Sequence, residues 1–314
     1  MSEPGDLVDE SGLPPDVHGT AVTVGTFDGV HRGHWDVLAR LASRARSLGL
    51  RSVLVTFEPH PLEIVNPTAA PQLLTIGDEK REVLAESGID YLAELPFTSN
   101  LARYEAESFV DRILRRRFRM EYLLMGHDHG FGRNRAGDVE VMQGLGARRG
   151  FRVEVVPPVS VGDGRPISST SIRRALAGGD LQRAAFSLGR SYAVSGRVVA
   201  GASRGRTLGF PTLNLEPPSR RKLLPPQGVY AVRAQTPRGA FGGMMNLGPR
   251  PTFGEMEPGL EVHLFDAAGD FYGVPVRIDF VSRLRETRSF PDASALVQQL
   301  RRDEEDARRV LGAA

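Results

Sequence analysis

The sequence predicts an α/β domain built on a parallel sheet, followed by a smaller, mostly-β domain that ends in a helix. Three observations carry this. Apolar strand-like runs recur through the first half, at Thr20 to Phe27, Arg51 to Phe57, Tyr91 to Leu95, Tyr122 to Met125 and Phe151 to Val156, with helix-like segments between them. Strands that alternate with helices imply a parallel sheet covered on both faces. Around Leu188-Gly189-Arg190 the pattern changes to short, β-branched segments broken by Gly and Pro, which places a domain boundary there. Tyr192 to Val199, Gly228 to Ala234, Gly242 to Leu247, Leu260 to Phe265 and Val274 to Val281 are spaced like the strands of a small barrel or sandwich. From Asp292 to Val310 a charged amphipathic helix follows, with Leu296, Val297, Leu300, Ala307 and Val310 as its buried face.

A chain of 314 residues suggests about two domains, each large enough for its own core. The formal charge of +2 gives no reason to expect nucleic acid, although local Arg clusters can still meet phosphate. The absence of Cys rules out disulfides, thiolate zinc sites and cysteine nucleophiles, and is compatible with a cytosolic enzyme. No stretch of ~18 apolar residues is present to span a membrane. Met1 to His18 is acidic and rich in Pro and Gly, without the basic start and apolar core of a signal peptide. It is read as a disordered lead.

The first strand, Ala21-Val22-Thr23-Val24, runs into Gly29-Val30-His31-Arg32-Gly33-His34 and then an apolar-periodic helix. Trp35, Leu38, Leu41, Ala42, Ala45 and Leu48 form one face of that helix, and Gly49 ends it. A helix N-terminus has unpaired N–H groups and a partial positive charge, so a Gly-permitted close approach there seats phosphate. His31 and His34 stand beside it, able to donate to phosphate oxygens whose charge grows during attack at phosphorus. A single His is more often structural; two at this spacing with flanking Gly point to chemistry.

Ligands of parallel sheets bind beyond the carboxyl ends of the strands, and further motifs follow strands here. Thr56-Phe57-Glu58-Pro59-His60-Pro61 is a proline-fixed turn that can hold His60 or Glu58 at the rim, or simply a rigid turn with a solvated His. Gly126-His127-Asp128-His129-Gly130-Phe131-Gly132 is flexible and carries one carboxylate. Ile167-Ser168-Ser169-Thr170-Ser171-Ile172-Arg173 places hydroxyls at a helix start with an Arg in the first turn; capping explains one or two of them, and the set suits a second phosphate clamp. The Arg-rich stretch from Arg112 to Arg119 reads as a helix with Phe109, Ile113 and Leu114 inward and a basic end, rather than as a nucleic-acid patch. A metal site drawn from His31, His34, His60, His127 and His129 is a minor reading, because no helix carries two His at i, i+4 with an acidic partner.

In the second half, Gly201 to Gly209 is a Gly- and Arg-rich loop able to approach phosphates, followed by Phe210-Pro211-Thr212-Leu213-Asn214. A Thr hydroxyl and an Asn carbonyl are oxygen ligands suited to Mg²⁺. In Glu261-Val262-His263-Leu264-Phe265, strand alternation puts Glu261, His263 and Phe265 on one face. On a cleft-lining face Glu261 can act as general base toward an alcohol; on an edge strand it is merely solvated.

Together these motifs resemble the prokaryotic bifunctional riboflavin kinase/FAD synthetase (FMN adenylyltransferase) family, from about Thr20 onward. The likeness rests on an ordered set: Gly-Thr-Phe-Asp-Gly-Val-His-Arg-Gly-His at 25 to 34, the Phe-Glu-Pro-His-Pro turn, Ile-Ser-Ser-Thr-Ser-Ile-Arg, the run from Gly205 to Leu215, Gly228-Val229-Tyr230, the run from Asn246 to Phe253, and Glu261-Val262-His263. It implies a Rossmann-like nucleotidyltransferase domain at 19–187 and a six-stranded flavokinase barrel with a C-terminal helix at 188–314. It implies riboflavin, FMN and ATP as small-molecule substrates and Mg²⁺ as the metal; the small net charge and the lack of an apolar span leave neither nucleic acid nor membrane as an expected partner.

Residue by residue, the resemblance assigns Gly25, Phe27, Gly29, His31 and His34 to the ATP of the adenylyltransferase, with Ser169, Thr170 and Arg173 on the departing pyrophosphate. His60, Asp128 and Phe131 fall to its FMN. In the kinase it assigns Gly201, Gly205, Arg206 and Gly209 to the nucleotide, Thr212 and Asn214 to Mg²⁺, and Glu261 to the base beside riboflavin's 5′-hydroxyl. Three positions depart from the family's usual residues: Leu213 stands for Ala, His129 for an aromatic near the flavin pocket, and Glu58 for Asp. The alternatives are a riboflavin kinase alone, a non-catalytic flavin or nucleotide sensor, and adenylyl transfer to another phosphate acceptor such as phosphopantetheine, which leaves the barrel motifs idle.

Overall fold

The computed structural model describes residues 13–127, 130–133, 136–160, 164–201, 208–216, 219–251 and 256–312. Asp128, His129, Gly205, Arg206, Thr252 and Phe253 lie outside the described residues. The chain divides into two compact units, Met1–Pro71 with Lys80–Ser168, and Gln72–Glu79 with Ser169–Ala314.

The first unit contains β1 (Thr20–Val24), α1 (Arg32–Leu48), β2 (Arg51–Glu58), α2 (Pro61–Val65), most of α3 (Gly77–Ala85), β3 (Tyr91–Pro96), α4 (Ser99–Ala102), α5 (Ala106–Phe109), β4 (Met120–Gly126), α6 (Val139–Arg149) and β5 (Arg152–Val156). Its five strands are parallel in the order β3-β2-β1-β4-β5. Side-chain alternation fills both faces, as the continuous apolar runs predict. Val22, Val24, Val53, Val55, Leu123 and Met125 share one core with Phe109 and Ile113, while Ala21, Tyr122 and Leu124 pack on the other with Leu41 and Ala45 of α1. Successive strands run outward from β1 on one side and resume at β4 on the other. The loop after β1 therefore opens at the switch point, where open α/β sheets bind ligands.

Helix α1 buries Leu38, Leu41, Ala42 and Ala45 and ends on Gly49 in the left-handed conformation at φ 68. Leu48, assigned to the same face from its spacing, is 38% exposed, because it lies in the last turn beyond the sheet. The Arg-rich stretch is helical: α5 widens over Val110–Arg117 into i→i+5 turns that bury Val110, Ile113 and Leu114 and end in three arginines. Residues 13–18, read from sequence as part of the disordered lead, instead pack on the domain. Leu13 and Val17 join its core and Arg119 donates to the Val17 carbonyl, since two apolar side chains gain more by burial than the Pro-rich composition suggests.

The second unit holds α7 (Ser169–Ala177), α8 (Leu181–Leu188), β6 (Tyr192–Val199), β7 (Leu213–Glu216), β8 (Gly228–Thr236), β9 (Gly239–Pro251), β10 (Met256–Leu264), β11 (Pro275–Arg285) and α9 (Ala293–Gly312). Its strands close into an antiparallel barrel in the order β10-β7-β6-β11-β8-β9. Closure gives every strand of the barrel a hydrogen-bonded neighbour on each side. Tyr230, Val232, Leu247, Leu260, Val262, Ile278 and Phe280 are buried at alternate strand positions. Helix α9 packs its Val297, Leu300, Ala307 and Val310 with Ala231 and Met244, whose side chains project from the opposite face of β8 and β9. Its buried Asp303 takes two hydrogen bonds at 2.9 and 2.7 Å from the Nε and Nη2 of Arg285. Strand β7 is four residues long and begins at Leu213, within the stretch read from sequence as a metal-binding turn, too short for its alternation to register.

Segment 72–79 is stapled to this unit. Leu73 bridges in parallel to Lys222, the Leu73 N–H donates to the Arg221 carbonyl at 2.7 Å, and the Leu223 N–H donates to the Leu73 carbonyl at 2.9 Å. Glu79, 5% exposed, accepts from the Lys222 ammonium at 2.6 Å and from the Ser195 N–H at 2.6 Å. Lys222 also donates to the Leu74 carbonyl and sits 4.6 Å from the centre of the Tyr192 ring.

Candidate active sites

The first candidate site is the loop between β1 and α1. Its backbone turns through left-handed conformations at Phe27 (φ 48), Gly29 (φ 82) and Val30 (φ 39). For Phe and for β-branched Val that costs about 1–3 kcal/mol each, strain of the kind concentrated at functional sites. Burial holds both: Phe27 and Val30 pack with Leu38, Leu54, Val83 and Leu84 beneath the loop.

At its end, His31 and His34 cap the helix reciprocally. The His34 N–H donates to Nδ1 of His31, and the His31 N–H donates to Nδ1 of His34, each at 3.3 Å. This is a capping box built of two imidazoles, satisfying two of the N–H groups that a helix start leaves over. The rings stack with centroids 3.6 Å apart and planes 15° apart, and His34 also meets the Phe27 ring at 4.6 Å. A neutral imidazole that accepts at Nδ1 carries its hydrogen at Nε2. Both histidines are thereby fixed as Nε2–H donors, and neither can act as a nucleophile or base through Nδ1 without breaking the cap. Such a pair is suited to holding anionic oxygens. Gly33 leaves room for the ring, since a Cβ there would lie 3.2 Å from Cε1 and Nδ1 of His31 and the imidazole would have to shift by a few tenths of an ångström. The carbonyl of Ile167, the first residue of the hydroxyl-rich motif, is 3.9 Å from the same point.

Other expected residues of this half fall as follows. Gly25 continues the sheet, its N–H donating to the Val55 carbonyl at 3.0 Å. His60 caps α2 through Nδ1, accepting from the Leu62 N–H at 3.2 Å, while Glu63 accepts from the His60 N–H. Phe131 is 7% exposed and packs on Phe109 with ring centroids 5.4 Å apart, placing it in the core. Ser169, Thr170 and Arg173 start α7, and Arg173 donates Nε to the Gln72 carbonyl at 3.1 Å. The sequence motifs do not include Lys80 and give Thr56, at the head of the proline-fixed turn, no role of its own. Lys80, 5% exposed, donates to the Thr56 hydroxyl at 2.7 Å, and that hydroxyl donates to the Thr26 carbonyl at 3.2 Å. No motif signals a lysine buried within a charged helix.

The second candidate site is a strip on the outer face of the barrel. Glu261 on β10 is paired with Asn214 on β7 and with Asn246 on β9, so these three polar side chains form a row across neighbouring strands. Directly opposed residues have Cβ atoms about 4.5–5.5 Å apart. Asn214 is 8% exposed; Thr212, just before β7, and Glu261 are half-buried. Gly201 lies over Asn214: a Cβ there would come within 1.9 Å of the amide nitrogen and 2.7 Å of the amide oxygen. Gly209 is exposed and left-handed at φ 81. His263, two residues along from Glu261 on the same face, has Nδ1 2.8 Å from the Pro211 carbonyl and its ring edge-on to Phe210 and Phe265. The strip thus gathers a carboxylate and a buried amide as oxygen donors, with Thr212 two residues before Asn214 in the chain. Among the described residues no group of three or more His, Asp and Glu is arranged to hold a metal ion.

Residues 13–171 match the FAD synthetase family and residues 188–311 the riboflavin kinase family. The chain is 40% identical over 297 residues to a bifunctional riboflavin kinase/FMN adenylyltransferase from Pseudomonas fluorescens, covering 94% of each chain. It is 39% identical over 298 residues to the protein of the same name from Escherichia coli, covering 94% of this chain and 93% of that one. Among solved structures it is similar to a crystal structure from Streptococcus pneumoniae named a macrolide-efflux protein, at 31% identity and a TM-score of 0.85, over 96% of this chain and 97% of the other. No helix among the described residues is long and apolar enough to cross a membrane. With both halves matched and 94% of the chain shared, the chain belongs to the bifunctional riboflavin kinase/FMN adenylyltransferase family.

Proposed function

We propose that the family's two reactions run at the two places described above: riboflavin is phosphorylated to FMN on the barrel, and FMN is adenylylated to FAD at the β1–α1 loop. In adenylyl transfer an FMN phosphate oxygen attacks the α-phosphorus of ATP, the bond to the β-phosphate oxygen breaks, and pyrophosphate leaves. An ionised phosphate is already a nucleophile, so the step needs alignment and charge stabilisation more than a base. The reciprocal cap of His31 and His34 is the observation that supports this reading, because it holds two N–H donors at a helix N-terminus and removes their Nδ1 atoms from proton transfer. Gly25, Phe27 and Gly29 shape the loop for ATP, and Ser169, Thr170 and Arg173 take the pyrophosphate. His60, Asp128 and Phe131 are assigned to FMN.

The kinase reaction starts from a neutral alcohol. Glu261 takes the proton of riboflavin's 5′-hydroxyl as that oxygen attacks the γ-phosphorus, and ADP leaves. Thr212 and Asn214 are the residues that would hold Mg²⁺: both offer neutral oxygens, the donor type this ion favours, and the missing Cβ of Gly201 leaves the Asn214 amide its place. When bound, the ion supplies neutralisation of phosphate charge. Gly201, Gly205, Arg206 and Gly209 belong to the loop that covers the nucleotide. Both reactions consume ATP, which supports a cytoplasmic setting.

Incubation of the purified protein with riboflavin, ATP and Mg²⁺, followed by separation of the flavins, tests the whole reading. FMN and then FAD are expected. FMN alone would remove the adenylyltransferase claim, and unchanged riboflavin would leave a flavin or nucleotide sensor.

A further inference from the structure

We propose that Lys80 is a positioning residue for adenylyl transfer, acting through the Thr56 hydroxyl on the peptide that joins Thr26 to Phe27. The inference rests on the adenylyltransferase reading of the β1–α1 loop and adds to it a part that touches neither ATP nor FMN.

The geometry is a relay of two hydrogen bonds. The Lys80 ammonium donates to Thr56 Oγ at 2.7 Å, and that hydroxyl donates to the Thr26 carbonyl at 3.2 Å. A hydroxyl has one hydrogen, so a cation on its lone pair commits that hydrogen to the other partner, and the first bond polarises and strengthens the second. The Thr26 carbonyl belongs to a planar trans peptide whose other end is the Phe27 N–H. Holding the carbonyl toward Thr56 therefore aims the Phe27 N–H the opposite way. Phe27 is also where the loop first enters the left-handed region, at φ 48. A strained peptide keeps its orientation only where its surroundings over-determine it. Apolar packing fixes the Phe27 ring, but only a directional bond fixes the rotation of the peptide plane.

The cost of burying a lysine argues that it has a task. Burial lowers the Lys80 pKa, opposed by the carboxylates of Glu94, Asp28 and Glu58. A threonine donating to a carbonyl needs no such partner for stability alone, and a methionine would fill the same volume without desolvating a charge. Lys80 stands on α3 and Thr56 on β2, so the relay ties the loop to two elements that themselves carry none of the residues assigned to ATP.

The test is a double-mutant cycle of Lys80→Met and Thr56→Val, with Thr56→Ser as the conservative variant. FAD formation from supplied FMN is measured with varied ATP, and FMN formation from riboflavin is measured in the same preparations. The expected result is a loss of at least 10-fold in kcat/KM for ATP in each single variant and a double variant no worse than Thr56→Val. Thr56→Ser should keep most of the activity, and FMN formation should stay within twofold throughout. The proposal is overturned if Lys80→Met forms FAD normally, if the two effects multiply, or if both activities fall together, which would mark Lys80 as structural. Wild-type protein that forms FMN but no FAD would overturn it too, by removing the adenylyltransferase reading beneath it.

Discussion

Glu261 stands directly opposite Asn214 across the β10–β7 ladder, so the one carboxylate on the strip and its most buried amide share a face at neighbouring positions. Replacing the carboxylate by its isosteric amide keeps the row but removes the base. Glu261→Gln is therefore expected to lower FMN formation by about 10²–10⁴-fold, the usual worth of a general base. FAD formation from supplied FMN should remain, and comparing the two rates in one preparation checks the separation of the sites.

The His31–His34 cap makes the opposite prediction. His31→Ala removes one N–H donor and one cap acceptor, so FAD formation from FMN should fall by about 10²–10³-fold while FMN formation persists. Loss of the cap should also cost about 1 kcal/mol, read from the denaturant midpoint. Gly33→Ala leaves both histidines in the chain but places a methyl 3.2 Å from the His31 ring. It should reproduce the loss of FAD formation more mildly, and wild-type rates in this variant would show that the placement of the ring does not matter.

Glu79 and Lys222 form a pair at 2.6 Å with side-chain exposures of 5% and 1%. Removing one partner strands a buried charge, so Lys222→Met should cost about 3–5 kcal/mol. Glu79→Gln added to it should recover much of that loss, because the amide oxygen still accepts from the Ser195 N–H and no charge remains. Equilibrium unfolding of both variants decides the point.

Acid stability should depend in part on Glu154. The hydrogen bond from Arg44 holds its carboxyl below the ordinary 4.5, helped by the Tyr122 hydroxyl and opposed by burial. A carboxyl with a lowered folded pKa stabilises the native state above its unfolded value, and that contribution is lost as pH falls through the folded one. Glu154→Gln should therefore show a shallower fall in melting temperature than wild type below about pH 4.5, with the curves running parallel between pH 6 and 8. An identical slope in acid would exclude the contribution.

Much of this protein is legible in one dimension. Val22, Val53 and Leu123 announce a sheet buried on both faces, the Leu38-Leu41-Ala45 spacing announces α1, and the ordered motifs from Gly25 to Glu261 carry the family. Those signals are local, fixed by strand and helix periods or by turn chemistry within a few residues. The lead reads as disordered at Leu13 and Val17 because the core they join is built from residues far along the chain, and the partner of the Val17 carbonyl, Arg119, is about a hundred residues away. Strand β7 was hidden by its length, and Leu213 and Leu215 show their inward alternation only against β10.

The two-domain plan, the parallel sheet and the residue types at each site follow from residue order alone, because hydrophobic period and glycine placement are properties of neighbouring residues. That His31 and His34 cap one another and so donate from Nε2, that Asn214, Glu261 and Asn246 stand in one row, and that Lys80 reaches Thr56 emerge in the packed fold. Each of these is a matter of direction as well as spacing. A hydrogen bond is set by where its two groups point, and that is fixed when the elements pack.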